Sequence, residues 1–398
     1  MTATTTWRLR LPEEVVFGRG TRHQLPDLLP AGARVLVVAS RSTASLVEEL
    51  LPGADSEVAR VMVAGEPVLD AVGAEVERVR STAPDVVLAV GGGSVLDTAK
   101  ALAAFLPNHA HAPRDHLEVV GAGHPLTADP LPVVAVPTTS GTGAEATHNA
   151  VLSVPDAARK VSLRDPRLTP RIALVDPELS ERVPHAVAVA AGLDAAVQLV
   201  EAAATPLASP PTTAAALTGA EVALPALGRL VHGTATDADR DALAYGALLS
   251  GIALANSKLG TVHGFAAVLG GHRDLAHGAL CGWFAAPVLA ATVEHLRAGQ
   301  PSSSPASSPS PSPALALERY AQLATLATGA PAGPEALADW FAAIVVAAEL
   351  PALDLDGLPT EEVVVAVQEA SSTRGNPVAL STDQLRRLLA EVAATHNG

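Results

Sequence analysis

The sequence predicts an α/β N-terminal domain built on a parallel sheet, followed by an all-α C-terminal domain. Apolar, strand-like runs alternate with helical patterns through the first third of the chain, as they do where helices cross over between parallel strands. From about Pro184 onward, Ala-rich segments with helical spacing take over and no convincing strand run returns. The 398 residues exceed what one hydrophobic core ordinarily organises, so two domains are expected, at 1–183 and 184–398.

In chain order, the first strand run is Ala33-Arg-Val-Leu-Val-Val-Ala39, followed by a helix. Asp85-Val-Val-Leu-Ala-Val90 is the second, with a helix from about Ser94. Leu131-Pro-Val-Val-Ala-Val-Pro137 ends in the loop Thr138-Thr-Ser-Gly-Thr-Gly143, and Arg171-Ile-Ala-Leu-Val-Asp176 ends at Pro177. Loops at strand ends are where α/β proteins bind ligands. In the helical half, residues 300–313 form a Pro/Ser-rich segment in which proline denies a helix its hydrogen bonds and serine offers nothing to bury, so a disordered insertion is expected there.

Composition narrows the function classes. Apolar residues make up 48% and aromatics only 3%, so Ala, Val and Leu must pack a globular core. A formal charge of −15 argues against a nucleic-acid partner, which needs concentrated Lys and Arg. Cys281 is the only cysteine, which excludes an intramolecular disulfide and a cysteine-rich zinc site. The opening MTATTTWRLRLPEEVVFG lacks a continuous apolar stretch, and the apolar run Trp340–Ala348 is about half of what a bilayer needs. A cytoplasmic protein with no membrane partner is the expectation.

Four constellations carry chemistry. Val90-Gly-Gly-Gly-Ser-Val-Leu-Asp-Thr-Ala-Lys100 puts three glycines between a buried strand and a helix start, where backbone amides and the helix dipole suit a pyrophosphate; Ser94 is available as a helix cap. The same turn also serves plainly as a strand-to-helix connection. Pro137-Thr-Thr-Ser-Gly-Thr-Gly-Ala-Glu-Ala-Thr-His-Asn149 gathers hydroxyls after a strand, for a ribose or phosphates or simply for turn formation. Asp194 and Gln198 stand at i and i+4 on one helix face, and His263 and His277 flank a Gly-Gly bend. Imidazole and carboxylate together suit zinc or ferrous ion, although each alone is more often a satisfied core group.

Taken in order, these pieces resemble the iron-containing (group III) alcohol dehydrogenase family, including its maleylacetate reductase branch. The likeness runs from Phe17-Gly-Arg-Gly-Thr21 through GGGSVLDTAK, PTTSGTGAEATHNAV, Lys160 with LTPRIALVDPEL, GLDAAVQLVEA and the HG…GG…HG segment to Gly375-Asn-Pro377. It implies the dehydroquinate synthase-like fold, with a nucleotide-binding domain, a helical domain and an active site in the cleft between them. By resemblance, Gly91, Gly92, Gly93, Ser94 and Asp97 hold the pyrophosphate side of NAD or NADP, and Thr138, Thr139, Thr142 and Lys160 line the cofactor cleft. Asp194, His263 and His277 are metal ligands, Gln198 stands where the family has a fourth, histidine ligand, and the metal is iron or zinc. Without a metal, His263 and His277 would instead donate hydrogen bonds to the developing alkoxide. The implied reaction is reversible reduction of a carbonyl in a small-molecule substrate, by a homodimer.

Departures from the pattern carry expectations too. Gln198 offers a neutral amide, a weaker ligand than imidazole, so metal affinity should fall. Ala267 occupies the place of a family histidine near the nicotinamide; His272 or a water would have to replace it. Ser40 and Arg41 follow the first strand where NAD-restricted members carry an acid, which predicts tolerance of NADPH. Asp194 does not follow the asparagine of the maleylacetate reductase branch. Two other readings stay open: a redox-neutral or catalytically diverged member, and a sugar phosphate cyclase-like enzyme, against which Asp194 speaks.

Overall fold

The computed structural model describes residues 6–51, 56–272, 275–299 and 312–394. The chain forms two compact units, one spanning Leu11–Val183, the other Pro184 to the C-terminus together with the residues before Leu11.

The first unit contains strands β1 (Glu14–Phe17), β2 (Val35–Ser40), β3 (Glu57–Val63), β4 (Val86–Gly91), β5 (Val133–Pro137), β6 (Asn149–Val154), β7 (Arg159–Arg164) and β8 (Ile172–Val175). Its helices are α1 (Leu25–Leu28), α2 (Ala44–Leu50), α3 (Leu69–Val79) and α4 (Gly93–Phe105). Six strands make one parallel sheet in the order β1-β8-β5-β4-β2-β3. Alternation of side chains explains why β2, β4 and β5 read as unbroken apolar runs. Leu36, Val38, Val87, Ala89, Val133 and Ala135 enter one core, with α3 and α4. Val35, Val37, Val86, Leu88, Val90, Val134 and Val136 enter another, with Leu25, Val47 and Leu50. A strand covered on both faces has no side left to be polar.

The four strand runs read from the sequence are β2, β4, β5 and β8. β1 and β3 escape that reading because they are the sheet edges, where Glu14, Glu57 and Arg60 interrupt the apolar pattern. β6 and β7 form a separate antiparallel pair, Asn149 opposite Arg164 and Val154 opposite Arg159, so the unit is not wholly parallel. From β2 the chain steps outward to β3, then returns past β2 to β4 on its other side. That reversal makes the C-terminal ends of β2 and β4 the switch point, where open α/β sheets leave a crevice for ligands. Ser40 and Gly91 sit there.

The second unit is helical throughout its described residues: α5 (His185–Ala204), α6 (Pro210–Val231), α7 (Asp237–Ala255), α8 (Thr261–His272), α9 (His277–Arg297), α10 (Pro313–Thr328), α11 (Glu335–Ala347), α12 (Thr360–Glu369) and α13 (Thr382–Ala394). α5 packs on α6, α7, α9 and α10, and from Gly192 to Ala204 every residue is buried. Three helices, α5, α6 and α9, are long and apolar enough by length and composition to cross a membrane. The shorter run at Trp340–Ala348 is only half buried, with Val346 exposed.

The start of the chain belongs with these helices, because the Arg10 N–H donates to Asn256 Oδ1 at 2.6 Å and Asn256 Nδ2 donates to the Arg10 carbonyl at 2.8 Å. The Pro/Ser-rich expectation for 300–313 falls mostly outside the described residues. Its last two positions begin a helix: Ser312 is the N-cap, its Oγ accepting from the Leu315 N–H at 3.3 Å, and Pro313 opens α10, where its missing N–H costs nothing.

Candidate functional site

The helical unit gathers its chemistry on three helices. On α5, Asp194, Gln198 and Glu201 follow at i, i+4 and i+7, one stripe of a helix that is otherwise apolar. α8 contributes His263, and α9 contributes His277 and Cys281, again one turn apart. One donor atom from each of Asp194, His263, His277 and Cys281 lies within 4.8 Å of the others. Asp194 Oδ1 is 3.2 Å from His263 Nε2, 3.8 Å from His277 Nε2 and 3.7 Å from Cys281 Sγ, and that sulfur is 3.7 Å from His263 Nε2. Asp194, His263 and Cys281 are buried, whereas the His277 side chain is 33% exposed and forms the open side of the group.

Glu201 fixes His263. One carboxylate oxygen takes the Nδ1 proton at 2.7 Å and the other takes the Val262 N–H at 2.8 Å. With Nδ1 protonated, Nε2 is left to face Asp194, the arrangement that outer carboxylates impose on metal-binding histidines. Close helix contact sets the positions. A Cβ on Gly278 would lie 1.8 Å from the Ala190 carbonyl oxygen, so glycine lets α9 press against α5 beside both His277 and Asp194.

Burial alone would lower the pKa of His263, but Cys281, Asp194 and Glu201 outweigh it and hold the value well above that of a free imidazole. His277 is likewise raised, burial opposing while Cys281 and Asp194 prevail. Asp194 moves down: burial favours its neutral form, and the two histidines more than reverse that. Concentrated negative charge thus holds positive charge at this point, which is the electrostatic requirement of a cation site. The donor set, one carboxylate, two imidazoles and one thiol, fits a divalent ion of the zinc type.

Asp194, His263 and His277 come together, and the Gln198 amide beside them is hydrogen-bonded on both sides. Its amide nitrogen donates to Asp194 Oδ1 at 3.2 Å, and its oxygen accepts the Ser250 hydroxyl at 2.7 Å. Cys281 was set aside in the sequence because a lone cysteine makes no zinc cluster; its spacing of four from His277 was the available signal. Glu201 carried a signal as well, three residues beyond Gln198 on the same face. His272 does not join the group, since it stands nine residues beyond His263 on α8, roughly 13 Å along the axis.

In the first unit the glycine turn behaves differently from its sequence reading. Helix α4 begins at Gly93 with Gly92 as its N-cap and no side-chain cap, so Ser94 is not the cap. Added Cβ atoms on Gly92 and Gly93 would come within 3.2 Å of Thr139 and 2.9 Å of Thr142. The glycines therefore admit the threonine loop, and the Thr138 N–H ties that loop to the Gly91 carbonyl at 3.1 Å. What remains for a phosphate is the uncapped N-terminus of α4.

One oxygen of Asp97 is 3.3 Å from Lys100 Nζ and the other accepts the Val151 N–H at 3.1 Å, which joins α4 to β6. Lys160 Nζ is paired with Glu66 at 2.5 Å. Ser40 begins the turn after β2 in a capping box with Thr43, and Thr43 Oγ1 donates to the Val90 carbonyl at 2.8 Å, joining the ends of β2 and β4.

Comparison with known proteins matches residues 12–177 to the iron-containing alcohol dehydrogenase model and residues 188–393 to the C-terminal model of the same family. Long-chain-alcohol dehydrogenase 1 of Geobacillus thermodenitrificans is 37% identical over 216 residues, 54% of each chain. Lactaldehyde reductase of Escherichia coli is 33% identical over 202 residues, 50% of this chain and 51% of that one. The matched region thus spans about half the length of these curated relatives. Among solved structures, the iron-containing alcohol dehydrogenase of Thermococcus thioreducens superposes with a TM-score of 0.81 at 24% identity, over 98% of this chain and all of the other. Sulfoacetaldehyde reductase of Bifidobacterium kashiwanohense, in complex with NAD+, gives 0.81 at 22% identity over the same shares. Both share the fold.

Proposed function

The chain belongs to the iron-containing alcohol dehydrogenase family, and from that premise we propose that it interconverts an aldehyde, semialdehyde or oxo acid with its alcohol, using NAD(P)H. The observation that carries the proposal is the convergence of Asp194, His263 and His277, with Glu201 presetting the His263 tautomer. Relatives that reduce lactaldehyde or sulfoacetaldehyde support the carbonyl class.

A divalent metal bound there supplies Lewis acidity toward a carbonyl oxygen. The chain's own residues do the rest. Asp194 provides fixed negative charge, Gln198 holds that carboxylate in place, and His277 forms the exposed side from which a small substrate arrives. A nicotinamide bound at the first unit would supply the hydride for the carbonyl carbon, the C=O electron pair going to oxygen. Ala267 cannot relay the proton that oxygen then needs, so it comes from solvent.

For the dinucleotide, the uncapped start of α4 receives the pyrophosphate and Ser40 lies toward the adenosine ribose at the β2–β4 switch point. No acid stands there and Arg41 follows, so NADPH is accepted beside NADH. Asp194 in place of asparagine sets the chain apart from the maleylacetate reductase pattern.

The test follows NADH and NADPH consumption by the purified protein against a panel of aldehydes and oxo acids. Turnover that disappears on chelation and returns with metal supports the reading. Dinucleotide binding without net turnover on any of them refutes it, and favours redox-neutral chemistry, as Gln198 and Ala267 would then mean.

A further inference from the structure

We propose that Cys281 is the fourth protein ligand of the metal site, and that its sulfur makes the site zinc-selective rather than iron-selective. The inference rests on the cation site of the preceding reading and adds the ligand and the metal to it.

Geometry comes first. Zinc bonds of about 2.0–2.2 Å to nitrogen and oxygen and about 2.3 Å to sulfur, arranged tetrahedrally, place neighbouring donors roughly 3.4–3.6 Å apart. The observed separations are 3.2 Å for His263 to Asp194, 3.7 Å for Cys281 to Asp194, 3.7 Å for Cys281 to His263 and 3.8 Å for His277 to Asp194. Four of the six donor separations thus lie near those of a tetrahedral site and all six are within 4.8 Å, and a carbonyl oxygen would add as a fifth ligand. Cys281 lies four residues after His277, so one turn of α9 delivers both, and it is fully buried.

Charge and chemistry agree with the spacing. A thiol bound to zinc is deprotonated, so thiolate and Asp194 together would balance a divalent ion. Gln198 would leave one positive charge uncompensated, and its amide is committed to Asp194 and Ser250. Soft thiolate favours zinc over ferrous ion. In the family pattern a histidine supplies the fourth donor from the α5 position of Gln198; here the donor comes from α9.

Because Cys281 is the only cysteine in the chain, a spectrum decides the matter. The full-length protein is stripped of metal, loaded with cobalt(II) and scanned. A thiolate-to-cobalt charge-transfer band in the near ultraviolet can then arise from Cys281 alone. It is expected in the wild type and lost in Cys281→Ser and Cys281→Ala. Zinc affinity in these variants should fall at least as far as losing an outer-shell partner lowers it, ~10–100-fold, and the preference for zinc over ferrous ion should narrow.

Visible cobalt bands without the charge-transfer band in the wild type would overturn the sulfur ligand and leave the Asp194–His263–His277 site standing. Failure of the folded wild type to take up cobalt would overturn both. Should neither variant fold, the wild-type spectrum still decides.

Discussion

Replacing Gly278 by alanine tests how tightly helix contact governs the site. The added Cβ would stand 1.8 Å from the Ala190 carbonyl oxygen and 2.6 Å from its carbon, against a floor of 3.0 Å below which Cβ atoms are essentially never found. The obstacle is backbone on the facing helix, so α5 and α9 must separate by more than 1 Å beside Asp194 and His277. Overpacking costs about 1–3 kcal/mol, and a backbone obstacle belongs at the upper end. At ~2–4 °C per kcal/mol for a unit of this size, melting should fall by roughly 6–12 °C. Metal bonds tolerate ~0.2 Å of displacement, so metal should be lost as well.

Gly282→Ala, one turn along, is the control. Its Cβ would meet only the leucine methyls of Leu193 and Leu350, at 2.9 and 3.1 Å, which can rotate away, so the cost should stay near 1 kcal/mol or less. Scanning fluorimetry and elemental analysis of both variants give the answer. If Gly278→Ala melts no lower than Gly282→Ala and keeps its metal, the Gly278–Ala190 contact does not set the spacing of the ligands.

Glu201→Gln should lower metal affinity ~10–100-fold, because the amide nitrogen facing His263 Nδ1 moves the imidazole proton to Nε2, where the metal must bind; titration with zinc under a competing chelator measures it. Buried Glu145 has its carboxyl pushed up from 4.5 to about 7 by desolvation, against its own backbone N–H and Lys100. The folded state therefore holds the proton more tightly than the unfolded state, and stability is lost as pH rises from about 4.5 to 7, by on the order of 3 kcal/mol. Glu145→Gln should remove that slope and melt higher than the wild type at pH 8; equal slopes in the two proteins would count against the assignment. Ser40→Asp keeps a residue able to cap the turn but places a charge near a 2′-phosphate, so NADPH affinity should drop ~10-fold or more, about 1.4 kcal/mol, with NADH unchanged. Dissociation constants from dinucleotide fluorescence read both.

What the sequence determined by itself is what depends on periodicity and local chemistry. β2, β4, β5 and β8 are legible because strands buried on both faces must be apolar throughout, and the helical half is legible because Ala and Leu repeat at helical spacing. Asp194, His263 and His277 could be paired from their residue types and motif order. The edge strands could not, since a strand with one neighbour tolerates Glu and Arg. Only the tertiary structure shows which side chains share the site. Gln198 and Asp194 are neighbours on one helix and looked like joint ligands, yet Ser250, 52 positions later, engages the amide. Cys281 lies 87 residues from Asp194 and meets it because α9 crosses α5 at Gly278. Which atoms share a point is a property of how helices cross, and spacing along one helix does not contain it.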